Sequence, residues 1–255
     1  MTENMFQLDG PLEGVLGQVS VQLREILVPL QRGLGGQPDS RPLLHQSYFR
    51  LLRLAQNLSA LEEGGQGLFD SDVVGLCRTV MEQAEYPAEL LGLRLDFRCG
   101  KNAHILAMDA PRLERLLWNL LSNAFQFTPR GGTVSLEVRV EKEAVQLTVA
   151  DTGCGIGPDA LETAFHRPRR LDPFRRGLGL GLPICRRIAQ EHGGSLILTS
   201  RDGGGTMAAV SLPNRRAGVR ETGAYTVRLD GGYSRALVEL ADVLPGQAFE
   251  QKFLD

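Results

Sequence analysis

The sequence predicts an α+β chain: an N-terminal two-helix hairpin, then an α/β sandwich in which helices cover one face of an antiparallel sheet. Three observations carry this. Before Gln66 the apolar residues recur on alternating steps of four and three, the period of helices packed on helices. After Gln66 several short runs alternate apolar with polar residues, the period of strands with one buried face. Twice these strand runs follow one another directly, an order that suits an antiparallel sheet better than alternating parallel units.

The first helical seam is Leu12, Leu16, Val19, Leu23, Ile26 and Leu30. Gly33, Gly35, Gly36 and Pro38 break it. A second seam follows at Leu44, Tyr48, Leu51, Ala55 and Leu58 and fades at Gly64–Gly65. Two helices on a short loop lie antiparallel and leave one broad apolar face open. Pairing with a second copy into a four-helix bundle covers that face, so a homodimer through the hairpin is expected. The alternative is that the helices pack on the rest of the same chain. The predicted division is 1–66 for the hairpin, 67–213 for the sandwich, and 214–255 for a C-terminal tail without assigned role.

Within the sandwich, Asp70 is the expected cap of a helix through about Glu85, ahead of Pro87, and Leu93–Arg98 reads as a strand. Asp109-Ala110-Pro111 opens a further helix, a capping carboxylate followed by proline in the first turn, running to about Phe127. Val134, Leu136 and Val138, then Val145, Leu147 and Val149, are the inward positions of a hairpin turned at Glu141–Glu143. A helix from about Gly179 to His192 stops at Gly193–Gly194. Ser195–Ser200 and Thr206–Leu212 are the last strands. In the tail, Tyr225–Leu229 and Tyr233–Leu240 around Asp230-Gly231-Gly232 suit a hairpin or a strand plus helix.

At 255 residues the chain holds one large domain or two small ones. A formal net charge of −2 gives no general attraction to nucleic acid or anionic lipid, and neither is an expected partner. No apolar run approaches a membrane span, and Met1–Gly10 lacks the basic-then-apolar layout of a signal peptide. Cys77, Cys99, Cys154 and Cys185 are scattered without metal-ligand spacing, as free thiols in a reducing cytoplasm would be.

The chemistry concentrates in three segments. Asn119 and Asn123 stand four apart on one helix face, and a carboxamide oxygen suits Mg²⁺, a hard ion that bridges to phosphates. Taken alone, the pair is better read as ordinary core hydrogen bonding. Asp151-Thr152-Gly153-Cys154-Gly155-Ile156-Gly157 follows directly on a strand. Its alternate glycines allow a close backbone approach, and its carboxylate can accept from the exocyclic amine of adenine. Gly177-Leu178-Gly179-Leu180-Gly181-Leu182 enters a helix, where N–H groups and the dipole favour phosphate oxygens. Between the last two lies Ala164–Arg176, with Arg167, Arg169, Arg170, Arg175 and Arg176. It reads as a solvated surface loop or, beside a phosphate site, as a mobile lid over the polyphosphate; the lid is the preferred reading.

The order Asn119–Asn123, Asp151–Gly155, Phe165, Gly177–Gly181 resembles the N, first glycine, phenylalanine and second glycine boxes of the sensor histidine kinase ATPase domain. Gly203-Gly204-Gly205-Thr206, before a final strand ending at Leu212-Pro213, resembles that family's close. The resemblance covers about Asp70–Pro213 and implies an α/β sandwich that binds ATP with Mg²⁺. It further implies Asn119 and Asn123 for metal and phosphates, Asp151 and Thr206 for adenine, and Gly179 and Gly181 for phosphates. Gly153, Gly155 and Gly177 complete the glycine boxes. Gln126 stands where many members of the family have a lysine or arginine, and a neutral amide cannot supply that point charge. Arg175 or Arg176 is placed to compensate.

The hairpin resembles the family's dimerisation and phosphoacceptor domain, with one departure. Before the Leu23-Arg24 pair, the histidine position holds Val21 and the acidic position holds Gln22. Valine offers no lone pair to phosphorus, and glutamine no carboxylate for an imidazole proton. No catalytic residue is therefore assigned. The expected function is a two-component signalling protein of histidine kinase type that binds Mg-ATP without autophosphorylating at the usual site. A response-regulator receiver domain or another signalling protein is the expected partner. Two alternatives remain: an active kinase using His45 or an acceptor on a partner protein, and a non-catalytic dimeric scaffold.

Overall fold

The structure, a computed structural model, describes residues 19, 23, 26–28, 41–62, 65, 67–165, 179–200, 204–219 and 235–249. Helix α1 (Arg41–Glu62) is followed by β1 (Phe69–Asp72), α2 (Val73–Leu91), β2 (Arg94–Cys99), β3 (Ile105–Met108) and α3 (Ala110–Phe127). Then come β4 (Thr133–Val140), β5 (Ala144–Asp151), α4 (Pro158–Thr163), α5 (Gly181–Glu191), β6 (Ser195–Ser200), β7 (Thr206–Pro213), α6 (Arg235–Glu239) and a 3-10 turn at Gly246–Phe249.

The period-two runs form one five-stranded sheet in the order β2-β4-β5-β7-β6. Val134, Leu136, Val138, Val145, Leu147, Val149, Val210 and Leu212 are buried beneath the helices. The polar residues between them, such as Glu137, Arg139, Gln146 and Thr148, lie on the other face, as the alternation of side chains along a strand requires. Three junctions of the sheet are antiparallel. The fourth is not: β2 pairs with β4 in parallel, Arg94 opposite Thr133 through Cys99 opposite Val138. The wholly antiparallel sheet expected from strand order is corrected here. The chain between β2 and β4 contains α3, and such a helical crossover returns the next strand in the same direction. β1 and β3 form a separate antiparallel pair.

Two local expectations also change. The cap of α2 is Asp72, whose carboxylate accepts from Val74 N at 3.1 Å and from His104 N at 2.9 Å. Asp70 lies in β1, and its carboxylate accepts from Ala217 N at 2.7 Å. Helix α2 continues through the buried Pro87, forgoing one backbone bond, and ends at Gly92 with φ 69°. Helix α3 begins as expected: Asp109 caps Arg112 N at 3.2 Å. His192, at the end of α5, holds this start in place. Its Nε2 accepts from Asp109 N at 3.0 Å while Nδ1 lies 2.7 Å from Ile188 O, so the hydrogen is on Nδ1.

The hairpin's second helix packs on its own chain. Ser47, Phe49 and Leu54 of α1 are buried, and α1 contacts α6 and the 3-10 turn. The C-terminal segment is helical at Arg235–Glu239 and forms a 3-10 turn at Gly246–Phe249, and Ala236, Leu237, Val238, Leu240, Ala241, Leu244, Ala248 and Phe249 belong to the common core. The predicted dimer seam is split, since its Leu51 and Leu58 pack against that same core. Tyr48 is 45% exposed, Ala55 is exposed, and Leu44, Leu51 and Leu58 are half-buried. Of the first hairpin helix, Val19, Leu23 and Ile26–Val28 are helical, with Ile26 buried. Val21 and Gln22 lie outside the described residues, as do 220–234. No helix among the described residues is long and apolar enough to cross a membrane.

His192→Ala leaves the Asp109 N–H unpaired inside the protein and loosens the start of α3. The unfolding free energy is expected to fall by about 2 kcal/mol in urea titration, with an unchanged m-value.

Candidate nucleotide-binding site

Asp151 closes β5, paired opposite Val134, and is buried. Its Oδ1 accepts from Gly153 N at 2.8 Å and from Thr206 N at 3.1 Å. One oxygen thus ties the loop after β5 to the start of β7, and Asp151, Gly153 and Thr206 meet. The loops are packed backbone on backbone. A Cβ on Gly153 would collide with Phe127 O, and one on Gly205, which has φ 92°, would collide with Asp151 O. Cys154 N donates to the same Phe127 O at 3.3 Å, fastening this loop to the end of α3.

Gly155 joins this cluster through Ser200. Ser200 Oγ accepts from Ile156 N at 3.0 Å and donates to Gly205 O at 3.4 Å. Ser200 carried no signal in the sequence, because its role depends on β6 lying beside β7. Arg186 is a second residue that sequence reasoning missed. Its guanidinium stands 5.3 Å from the Phe165 ring centre, a cation–π contact at the root of the arginine-rich segment. An arginine on an exposed helix turn gives no hint of an aromatic partner 21 residues earlier.

Asn119 is 2% exposed, and its Nδ2 donates to Arg115 O at 3.1 Å. Its Oδ1 points at the first turn of α5: a Cβ on Gly181 would stand 3.1 Å from it. Asn123 and Gln126 continue the same face of α3, half-buried, with no side-chain hydrogen bond to another described residue. From Asn119 to Phe127 this face extends about 12 Å, joining the Gly181 end to the Asp151 end. Gly179, exposed at φ 64°, leads into α5, which begins without a side-chain cap and so presents its first N–H groups. Arg176 and Gly177 lie outside the described residues, together with Arg167, Arg169, Arg170, Arg175 and Gly203.

Among the described residues no group of three or more His, Cys, Asp or Glu side chains could hold a metal ion. A divalent ion at this site would depend on amide and ligand oxygens, which suits Mg²⁺. The described histidines are engaged in structure. His104 Nε2 is 2.9 Å from Asn214 Oδ1, and His192 anchors α3. His45 is half-buried with Nδ1 2.9 Å from Phe249 O. Cys77 and Cys185 are fully buried, and burial raises the pKa of both thiols.

The mixed sheet under helices, with its acid, glycine turns and asparagine-bearing helix, agrees with one class of ATPases. Residues 108–216 match the family of histidine kinase-, DNA gyrase B- and HSP90-like ATPases. Within that class the chain carries a sensor histidine kinase catalytic domain, as its relatives make plain. It is 32% identical over 219 residues to the histidine protein kinase DivJ of Caulobacter vibrioides, covering 81% of this chain and 36% of DivJ. It is 35% identical over 230 residues to the sensor protein SrrB of Staphylococcus aureus, covering 82% and 39%. The chain therefore spans well under half the length of these two relatives. The catalytic domain of histidine kinase ThkA matches with TM-score 0.51 and 25% identity, over 58% of this chain and 97% of that one. ThkA in complex with the response regulator protein TrrA matches with TM-score 0.61 over 79% and 61%, at 21% identity, a likeness of fold.

Asp151→Ala removes the acceptor shared by Gly153 and Thr206 and is expected to lower the unfolding free energy by about 3 kcal/mol. Asp151→Asn keeps an acceptor oxygen and is expected to cost about 1 kcal/mol. Equal losses in urea titration would mean that these hydrogen bonds do not hold the loops.

Proposed function

We propose that this chain is a two-component signalling protein of histidine kinase type that binds Mg-ATP and does not phosphorylate itself at the usual hairpin position. The observation that carries the reading is the end of the sheet where Asp151 ties Gly153 to Thr206, reached by an asparagine face that begins at Gly181. Asp151 and Thr206 hold the adenine, with Gly153 and Gly155 shaping the turn that lets it approach. Asn119 and Asn123 serve Mg²⁺ and the phosphates. Gly177, Gly179 and Gly181 direct backbone N–H groups at the phosphates, where the helix dipole favours negative charge. The metal, when bound, neutralises charge on the polyphosphate.

Gln126 supplies no cation, and Arg175 or Arg176 from the arginine-rich segment takes that part. The missing autokinase follows from side-chain chemistry: Val21 is not a nucleophile and Gln22 is not a base. Nucleotide then acts as a conformational ligand that shifts the chain between arrangements.

Tyr48 and Ala55 of the seam Leu44-Tyr48-Leu51-Ala55-Leu58 are exposed, and the hairpin pairs through this seam with a second copy as a homodimer. A response-regulator receiver domain docks on the hairpin. The working division is 1–66 for dimerisation, 67–213 for nucleotide and 214–255 as a C-terminal extension, in a cytoplasmic protein.

Titration of the purified protein with an ATP analogue is expected to give saturable binding that tightens with Mg²⁺. Incubation with labelled ATP is expected to leave no acid-labile phosphate on the chain. Acid-labile label that vanishes in His45→Ala would replace this reading with an active kinase of unusual acceptor. Label only on an added partner protein would replace it with a kinase acting in trans. Absence of binding by well-folded protein would leave a scaffold.

A further inference from the structure

The C-terminal segment Arg235–Phe249 is wedged between the hairpin and the ATPase domain. On one side, Gln46 Nε2 donates to Ala241 O at 3.3 Å and to Leu244 O at 2.9 Å, and Arg50 Nε donates to Ala241 O at 3.3 Å. The Phe49 and Phe249 rings stand 5.5 Å apart. On the other side, Arg235 Nη1 lies 3.3 Å from the Oε2 of Glu114 on α3. Glu114 and Glu239 are almost wholly buried, and a carboxylate in that setting needs a cation from a neighbouring element.

Arg53 of α1 is the hub. Its Nη1 meets Asp242 Oδ2 at 3.2 Å, its Nη2 donates to Ser122 Oγ at 2.9 Å, and its Nε lies 3.9 Å from Glu239 Oε2. One guanidinium therefore touches the hairpin helix, the C-terminal segment and α3 together. On α3, Glu114, Trp118 and Ser122 form a stripe four residues apart, about 100° around the helix from Asn119 and Asn123. The same helix shows one face to the nucleotide site and the adjoining face to this network. Arg53 Nε and Glu239 Oε1 make long ionic contacts, to Glu239 Oε2 and Arg235 Nε at 3.9 Å each. A buried ion network adds little net stability over an apolar contact, while removing one of its partners is costly.

We propose that the Arg235–Phe249 segment is a releasable clamp that locks hairpin helix α1 to the asparagine-bearing helix α3, so that hairpin and pocket move as one body while it is closed. Opening it frees α1 from the ATPase domain and removes Arg53 from Ser122, next to Asn123. A signal arriving at the hairpin thereby reaches α3 through the Arg53 hub. The clamp is a property of the chain's own contacts and stands whether or not nucleotide binds.

Hydrogen exchange on the full chain without nucleotide tests this, comparing wild type with Arg53→Met and with the milder Asp242→Asn. Methionine keeps the apolar stem and deprives Glu239, Asp242 and Ser122 of their shared partner. Exchange in 41–59 and 235–249 is expected to accelerate together by about tenfold or more, while β4, β5 and β7 keep wild-type protection. Acceleration of all elements alike would make the segment ordinary core and overturn the proposal. Acceleration of only one of the two segments would show that they are not locked to each other, with the same consequence. Should Arg53→Met fail to fold, Asp242→Asn alone decides by the same two signatures.

Discussion

One carboxylate oxygen organises the business end of this protein. Asp151 stands where β5 ends, and by accepting from Gly153 N and Thr206 N it makes two loops from distant parts of the sequence share one anchor. The rest of the cluster follows from that constraint. Once the loops are drawn together, there is no room for side chains between them, which is why glycine occupies both Gly153 and Gly205. The loop then rests on Phe127 O, and so α3, with its amides, is set at a defined height beside the sheet.

Helix α3 is the element on which the other contacts converge. Asp109 and His192 fix its start, the Asp151 loop fixes its end, and Gly181 abuts its middle at Asn119. Its adjoining face receives Arg53 from the hairpin and Arg235 from the C-terminal segment. A helix held at both ends, with separate polar faces for two neighbours, is suited to transmit a small shift from one to the other. Such coupling needs a physical element that both neighbours bias, and α3 supplies it.

Local chemistry was legible in the sequence. The alternation at Val134–Val138 and Val145–Val149 marked the central strands, and Asp109-Ala110-Pro111 marked the start of α3, because both patterns are read within a few residues. What depended on distant partners was not. The parallel pairing of β2 with β4 is a matter of which strands become neighbours. The choice of Asp72 over Asp70 as a cap turns on His104 and Ala217, far along the chain. The site residues stood out by type and spacing, yet the hydrogen bonds that join Asp151 to Thr206, and Ser200 to two loops, cross from strand to strand. The C-terminal segment was opaque for the same reason: its helix is short, and its burial depends on arginines of the hairpin.

Thiol alkylation, read cysteine by cysteine, tests the placement of the nucleotide most directly. Cys154 is exposed in the loop that Asp151 anchors, Cys99 is half-exposed beside Val138 at the far end of β4, and Cys77 and Cys185 are buried with raised pKa values. Mg-ATP is expected to slow alkylation of Cys154 and leave Cys99 at its original rate. Protection of Cys99 with Cys154 unchanged would place the ligand elsewhere and contradict the account.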